Sequence, residues 1–232
     1  MMNLKKLLRL CYEKIYIFHN LFIKTKYYKK RDFYSHSGED LFIIQNCKKK
    51  GFYIDVGCHH PTKLNNCHLL YLNGWSGINI DINKISIDLF NSVRKKDINI
   101  CKAVSLKKGK VKFFYDKKLS LYNSLINKSD LKYSDEIISS PLSDIIDETS
   151  FKDHQIDFLS IDAEGKDLEV LQSLDFERYK PKFICVEIWG DSKNENFKLE
   201  NNEIYNFLIK KKYKIVFNKM ENYIFHNKYS NI

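Results

Sequence analysis

At 232 residues, with 44% hydrophobic and 14% aromatic side chains, the chain has the length and apolar content of one α/β-sized folded domain, which excludes a disordered segment. The formal charge of +10 is uneven: residues 1–31 hold nine basic residues and one acid, Glu13, leaving +2 for everything after them. The chain has only four arginines (Arg9, Arg31, Arg94, Arg178), and the body after residue 31 lacks the basic stripe of a nucleic-acid binder. The six cysteines (Cys11, Cys47, Cys58, Cys67, Cys101, Cys185) include no CxxC pair, which fits free thiols in a reducing cytosol better than a disulfide scaffold.

Residues 4–23 place Leu4, Leu7, Leu8, Cys11, Ile15, Phe18 and Phe22 at helical spacing, with charges elsewhere around the turn. Those charges interrupt the apolar run before membrane-spanning length, and no small-residue cleavage site follows. A basic amphipathic helix of this kind packs on its own domain or a partner, the favoured expectation, or lies on an anionic membrane surface. Residues 1–34 are therefore read as an extension and 35–232 as the domain proper. In Ser35-His-Ser-Gly-Glu39-Asp40, Ser37 is placed to cap the following helix with Asp40 as its partner. The alternative job for this stretch is ligand contact by Glu39.

Gly51-Phe-Tyr-Ile-Asp55-Val-Gly57 predicts a buried parallel strand with an acid near its end and a glycine turn that lets backbone approach a ligand. A helix follows at 66–72, a second strand at 75–81 ending in Asp81, a helix at 82–93 and a third strand at 98–105. Residues 111–115 favour β by composition. From 116 to 150 the chain is polar and weakly periodic, predicting a loop-rich insertion around a short helix opened by Pro141. A fourth strand ends at Asp162 and a helix begins at Asp167, after which a fifth strand ends near Glu187. The polar run 191–202, a helix at 203–212 and a hairpin-like pair complete the chain. This alternation predicts a doubly wound α/β sheet with short connections.

Asp55, Asp81, Asp162 and Glu187 all fall at strand ends, so a parallel sheet would gather four carboxylates at one edge. Crowded like charges call for a cationic ligand or raised pKa values. After Gly57 the chain reads Cys58-His-His-Pro-Thr-Lys-Leu, not G-x-G-x-x-G, which argues against a dinucleotide.

Asp55-Val-Gly57-Cys-His-His-Pro, Gly77-Ile-Asn-Ile-Asp81, Asp97-Ile-Asn-Ile-Cys-Lys-Ala103-Val104-Ser105 and Asp157-Phe-Leu-Ser-Ile-Asp162-Ala-Glu164-Gly165 together resemble the FkbM family of S-adenosylmethionine-dependent methyltransferases. Ser35-His-Ser-Gly-Glu39-Asp40 is similar to that family's entry motif, with His36 where Gln is common. The resemblance implies a class I methyltransferase (Rossmann-like) sheet with its last strand antiparallel, S-adenosylmethionine as cofactor, and O-methylation of a hydroxyl on a sugar, glycan or small metabolite. It implies a cofactor shell of Glu39, Asp55, Gly57, Cys58, Asp81, Ile82, Ala103, Val104 and Asp162: the methionine part near Gly57, the ribose at Asp81, adenine beside Ala103 and Val104. Cys58-His59 departs from the Ala-Asn common in the family.

An alcohol acceptor must lose a proton, and His59, His60, Asp162 and Glu164 are the candidate bases, with Glu164 and His60 ranked first. Cys58, His59, His60, Cys67 and His68 are zinc-ligand types at no common zinc spacing, and a divalent ion on Asp162 and Glu187 is possible without being supported. The alternative function is a non-enzymatic membrane- or partner-binding module on a methyltransferase-like body, motivated by the basic residues before position 32.

Overall fold

The structure, a computed structural model, describes residues 4–25, 31–47, 50–116, 123–190 and 198–229. In chain order these form α1 (Leu4–Phe18) with a π-helical continuation His19–Ile23, α2 (Glu39–Asn46), β1 (Phe52–Val56), α3 (His68–Leu72), β2 (Ser76–Asp81), α4 (Lys84–Val93), β3 (Ile98–Cys101) and β4 (Ala103–Val104). There follow β5 (Gly109–Tyr115), β6 (Asn123–Ser124), β7 (Tyr133–Ser140), α5 (Leu142–Asp147), β8 (Phe158–Ile161), α6 (Asp167–Gln172), β9 (Phe183–Glu187), α7 (Glu203–Lys210), β10 (Tyr213–Lys219) and β11 (Asn222–Asn227).

Seven strands make the central sheet in the order β10-β11-β9-β8-β1-β2-β3. The pairs β1–β2, β1–β8, β8–β9 and β2–β3 are parallel, and β11 lies antiparallel between β9 and β10. Side chains alternate across the sheet as the period of two requires. Ile54, Leu159, Ile161, Ile184 and Val186 pack with α5, α6 and α7 residues such as Ile145, Leu171 and Leu208. Tyr53, Phe158, Phe183 and Cys185 pack on the other face with Ile43 and Leu70. Burying each large apolar side chain contributes roughly 1.5–3 kcal/mol, so both layers hold the sheet edge rigid under the site.

The predicted third strand divides at Lys102. β3 stays in the main sheet, whereas β4 pairs with β7 in a second, four-stranded sheet ordered β4-β7-β5-β6. The 116–150 span is correspondingly less loop-like than expected, although 117–122 lie outside the described residues. Its residues 133–140 pair antiparallel with β5 through all seven of that strand's positions. The strand lies between β4 and β5, but most of its side chains are polar and exposed, which hid it from a periodicity reading. Of the polar run 191–202, residues 191–197 also lie outside the described residues.

Two local expectations are corrected. The residue capping α2 is Gly38 at φ 99°, not Ser37, and no side chain caps the helix. Asp40 instead accepts hydrogen bonds from the Tyr34 and Ser35 amides at 2.7 and 3.2 Å, tying the incoming loop to the helix. α1 does pack on the body, but not by its apolar stripe. Tyr16, Ile17, Asn20 and Leu21 face inward, while Leu7, Leu8, Cys11, Ile15, Phe18 and Phe22 are exposed.

Candidate active site

The carboxyl ends of β1, β2 and β8 open on one cavity of about 260 Å³, near the lower end of the roughly 300–1,000 Å³ of small-molecule sites. The turn after β1 forms its floor. Gly57 adopts φ 78°, and its amide donates to the Ile80 carbonyl at 2.9 Å. A Cβ there would meet the Asp162 carbonyl oxygen, so glycine is required by the main chain of β8's exit rather than, as the sequence suggested, by a ligand alone. His59 follows at φ 52°, a left-handed conformation uncommon for a side chain of its size.

The acids gather where the topology predicts. Asp55 is buried and accepts from Asn65 Nδ2 at 2.8 Å; burial raises its pKa to about 6, against the opposing pull of Asn65 and the Arg94 charge. Asp81 accepts from the His59 and Asn83 amides at 2.8 and 2.7 Å, and burial lifts it too to about 6. These amides use one lone pair on each oxygen, leaving capacity for hydroxyl donors. Asp162 lines the cavity and is exposed to it, although protein surrounds most of its carboxylate. Lost solvation, then the charges of Glu187, Asp167, Glu164 and Asp55, push it up to about 8. Glu187 is raised by burial and by Asp167, and hydrogen-bonds Trp189, which is exposed. Glu187 itself does not line the cavity.

The walls come from four further segments. Ile80, Asp81 and Ile82 end β2; Lys102 and Val104 flank the β3–β4 break; Ser160, Asp162, Ala163 and Glu164 leave β8; Leu64, Asn65 and Asn66 close the near side. The second sheet supplies the roof, because β6 pairs with the end of β5 and thereby brings Asn123, Ser124 and Leu125 over the opening. The buried Asn123 Nδ2 has no hydrogen-bond partner among the described residues. A buried amide left without an acceptor costs about 1–3 kcal/mol, which a ligand oxygen would recover.

Of the residues singled out from sequence, Asp55, Gly57, Cys58, His59, Asp81, Ile82, Val104, Asp162 and Glu164 line this cavity, whereas Glu39, His60 and Ala103 do not. Ala103 is fully buried in β4. Glu39 is fully buried beside the entry loop, one oxygen accepting from the Ser37 amide at 2.7 Å and the other without a partner among the described residues. His60 is turned away from the cavity. Its Nδ1 accepts from the Thr62 and Lys63 amides at 3.2 Å, and the Asn20 main chain engages the ring as well. Burial lowers it to about 4, so the ring is neutral and fully committed. Glu164, at φ 52°, pairs with Lys128 at 2.7 Å. Burial drives the Cys58 and Cys67 thiols well up, and no metal-holding group of three or more His, Cys, Asp and Glu occurs among the described residues.

Sequence reasoning missed the residues that hold the floor in place. Arg94 is buried and donates to the Pro61 carbonyl at 2.6 Å, Asn65 Oδ1 at 2.9 Å and Tyr53 Oη at 2.8 Å, with Asp97 as its counter-ion at 3.7 Å. Asn65 passes that support to Asp55, and Asn66 donates to Ser160 Oγ at 3.1 Å. The cue available in the sequence was an Asn-Asn pair soon after the first acid-bearing strand.

A seven-stranded doubly wound sheet with an antiparallel last strand, and acids at the ends of the first, second and fourth parallel strands around one cleft, define the class I methyltransferase fold. The sequence matches the Methyltransferase FkbM domain over residues 55–215, and the chain belongs to the FkbM methyltransferase family. Among solved structures it is similar to the methyltransferase FkbM of Methylobacillus flagellatus KT, at 14% identity and TM-score 0.48, over 90% of this chain and 52% of that one. It thus spans about half the length of that protein. A TehB-like SAM-dependent methyltransferase of Corynebacterium glutamicum aligns at 10% identity and TM-score 0.46, over 94% of this chain and 99% of that one. No curated protein matches the sequence. The cofactor this family implies, S-adenosylmethionine, is cationic at its ammonium and sulfonium and rich in hydrogen-bonding groups. Three cleft acids and an orphaned Asn123 amide fit such a ligand.

Proposed function

We propose that the chain is an S-adenosylmethionine-dependent O-methyltransferase acting on a hydroxyl of a sugar, glycan or small metabolite. The cofactor, when bound, supplies a methyl group already activated by its sulfonium, so the protein's share is positioning and proton removal. In this reading Asp81 holds the ribose hydroxyls, Asp55 and the Gly57–His59 turn hold the amino-acid end, and Ile82 and Val104 flank the base. Main-chain contact at Ala103 and a contact from Glu39 would need movement of their segments, since neither lines the cavity.

The observation that carries the reading is Asp162. A carboxylate held near pKa 8 at the mouth of the cleft is a base matched to neutral-to-alkaline operation. Glu164 pairs with Lys128 and His60 accepts from main-chain amides, which favours Asp162 over these two candidates in that role. His59 lines the cavity and is kept as a contact to the acceptor. Trp189, exposed beside Glu187, offers a flat apolar face of the kind that stacks on a sugar ring. The free thiols, three of them buried, suit the cytosol.

Isothermal titration with S-adenosylhomocysteine tests the cofactor half: wild type binds, and Asp81→Ala loses about tenfold or more in affinity, as for a charge-assisted hydrogen bond. No binding by wild type, or undiminished binding by the variant, defeats it. Methyl transfer to a panel of hydroxylated acceptors tests the base: Asp162→Asn keeps product binding yet slows transfer by roughly 10²–10⁴.

A further inference from the structure

The apolar stripe of α1 points away from the protein that carries it. An amphipathic helix in a finished fold normally buries that stripe. Here Leu8, Ile15 and Phe18 are 61%, 65% and 57% exposed, and Leu7, Cys11 and Phe22 lie exposed on the same side. The opposite face is the one engaged. Leu21 and Asn20 are buried, Tyr16 and Ile17 half-buried, and the helix lies against α4. Asn20 and Thr25 bond back to the carbonyls of Tyr16 and Leu21, fixing the continuation that docks beside His60. The helix is thus held to the body by its narrow side and presents a stripe on the order of 25 Å long, from Leu7 to about Phe22, outward.

We propose that this face seats the protein on an anionic lipid surface. Charge selects that occupant. Residues 1–31 carry nine basic residues against one acid, a net +8 in the same stretch of sequence as the stripe. A second copy on the same face would bring two such segments together across a two-fold axis, at a cost in repulsion. A surface of anionic headgroups over hydrocarbon answers both features at once, drawing the cations and taking up the side chains to a depth of about 5–10 Å. The stripe is convex and unbroken, with Phe18 and Phe22 paired at 5.1 Å between ring centres and Tyr12 at its margin, a form that meets a fluid interface without needing a matching groove. Among the described residues no helix is long and apolar enough to cross a membrane, so the contact lies along the surface.

Flotation of the full chain with vesicles tests this. Wild type is expected to float with phosphatidylglycerol–phosphatidylcholine vesicles and not with phosphatidylcholine alone, and to detach as salt is raised from about 0.1 to 1 M and the screening length falls from about 10 to 3 Å. Ile15→Glu combined with Phe18→Glu should cut binding by about a hundredfold, roughly tenfold for each apolar side chain. Lys14→Glu should cut it about fivefold or more. Lys14, Ile15 and Phe18 are exposed, so unchanged circular dichroism and thermal midpoint are expected in both variants. Equal flotation on neutral vesicles, or binding that survives both variants, overturns the proposal. So does a concentration-dependent dimer that the apolar variant abolishes while no vesicle is bound, which would give the stripe to a second copy.

Discussion

A methyl group on Gly57 would lie 1.8 Å from the main-chain carbonyl oxygen of Asp162. The first and fourth parallel strands of the methyltransferase sheet therefore leave it in van der Waals lock, and the turn that floors the cleft is shaped by its neighbour. The same two residues frame the chemistry. Gly57 sets where the floor runs, and the residue whose carbonyl it touches carries the carboxylate proposed as base.

Gly57→Ala should accordingly damage both stability and the site. The backbone is at φ 78°, where alanine is strained, and the obstacle is main chain that cannot rotate aside. Strain and overpacking together predict a loss of about 2–4 kcal/mol, with S-adenosylhomocysteine affinity falling in whatever protein remains folded. Gly109→Ala is the control. No atom lies within 4 Å of its Cβ position, so its thermal midpoint should barely move. Similar losses at both positions would refute the close-approach argument.

Asp162 should make activity and stability respond to pH in opposite senses. Its folded pKa of about 8 lies above the ordinary 3.8, so the native state holds a proton the unfolded chain releases. That contribution to stability is complete below about pH 4 and is lost as pH rises to 8. The transfer rate should instead climb through pH 8 as the carboxylate forms. Asp162→Asn should flatten both profiles, raising the midpoint near pH 8 while suppressing turnover. A rate profile in wild type with no limb near 8 would take the base role away from Asp162.

The strands were legible because each central one is a run of apolar residues closed by an acid, and Asp55, Asp81 and Asp162 announced the edge they share. The roof and the supports were not. Asn123 and Ser124 reach the cavity only because β5 and β7 form a separate sheet, and Tyr133-Ser-Asp-Glu-Ile-Ile-Ser-Ser, whose first four residues are all exposed, has no hydrophobic period to read. Arg94 stands before Lys95 and Lys96 at the end of α4, where it looks like one more cation at a helix C-terminus. Its burial depends on partners from three separate stretches of chain: Tyr53, the Pro61–Asn65 loop and Asp97. The outward stripe of α1 was equally hidden, since spacing shows that a helix has an apolar face but not which way it turns.

Arg94→Ala should cost about 3–5 kcal/mol, because it strands the buried Asp97 and removes donors from Pro61, Asn65 and Tyr53 together. Asp97 would retain bonds from Tyr53 at 2.6 Å and from Gly77 and Asn79 at 3.0 Å, which holds the loss toward the lower end of that range. Arg94→Lys should recover little, since an ammonium cannot span the same partners. Urea unfolding of the three proteins measures the differences. A loss under 1 kcal/mol in Arg94→Ala would show that the network is not what holds the floor.

His60 lies between the continuation of α1 and the turn that floors the cleft, and it should make the fold acid-labile. The ring is buried with Nδ1 accepting from two amides, and burial lowers its pKa from 6.5 to about 4. The native state thus refuses a proton that the unfolded chain accepts. Stability from this group is complete above pH 6.5 and is lost as pH falls toward 4, by about 2 kcal/mol at pH 5. His68, lowered by burial to about 3, works in the same direction. His60→Gln should reduce stability at pH 7.5 by about 1–3 kcal/mol for the lost acceptor and shrink the loss between pH 7.5 and 5. Because the ring lies outside the cavity, the pH dependence of transfer in the folded variant should match that of wild type. A change in that profile, with stability unaltered, would return His60 to the list of bases.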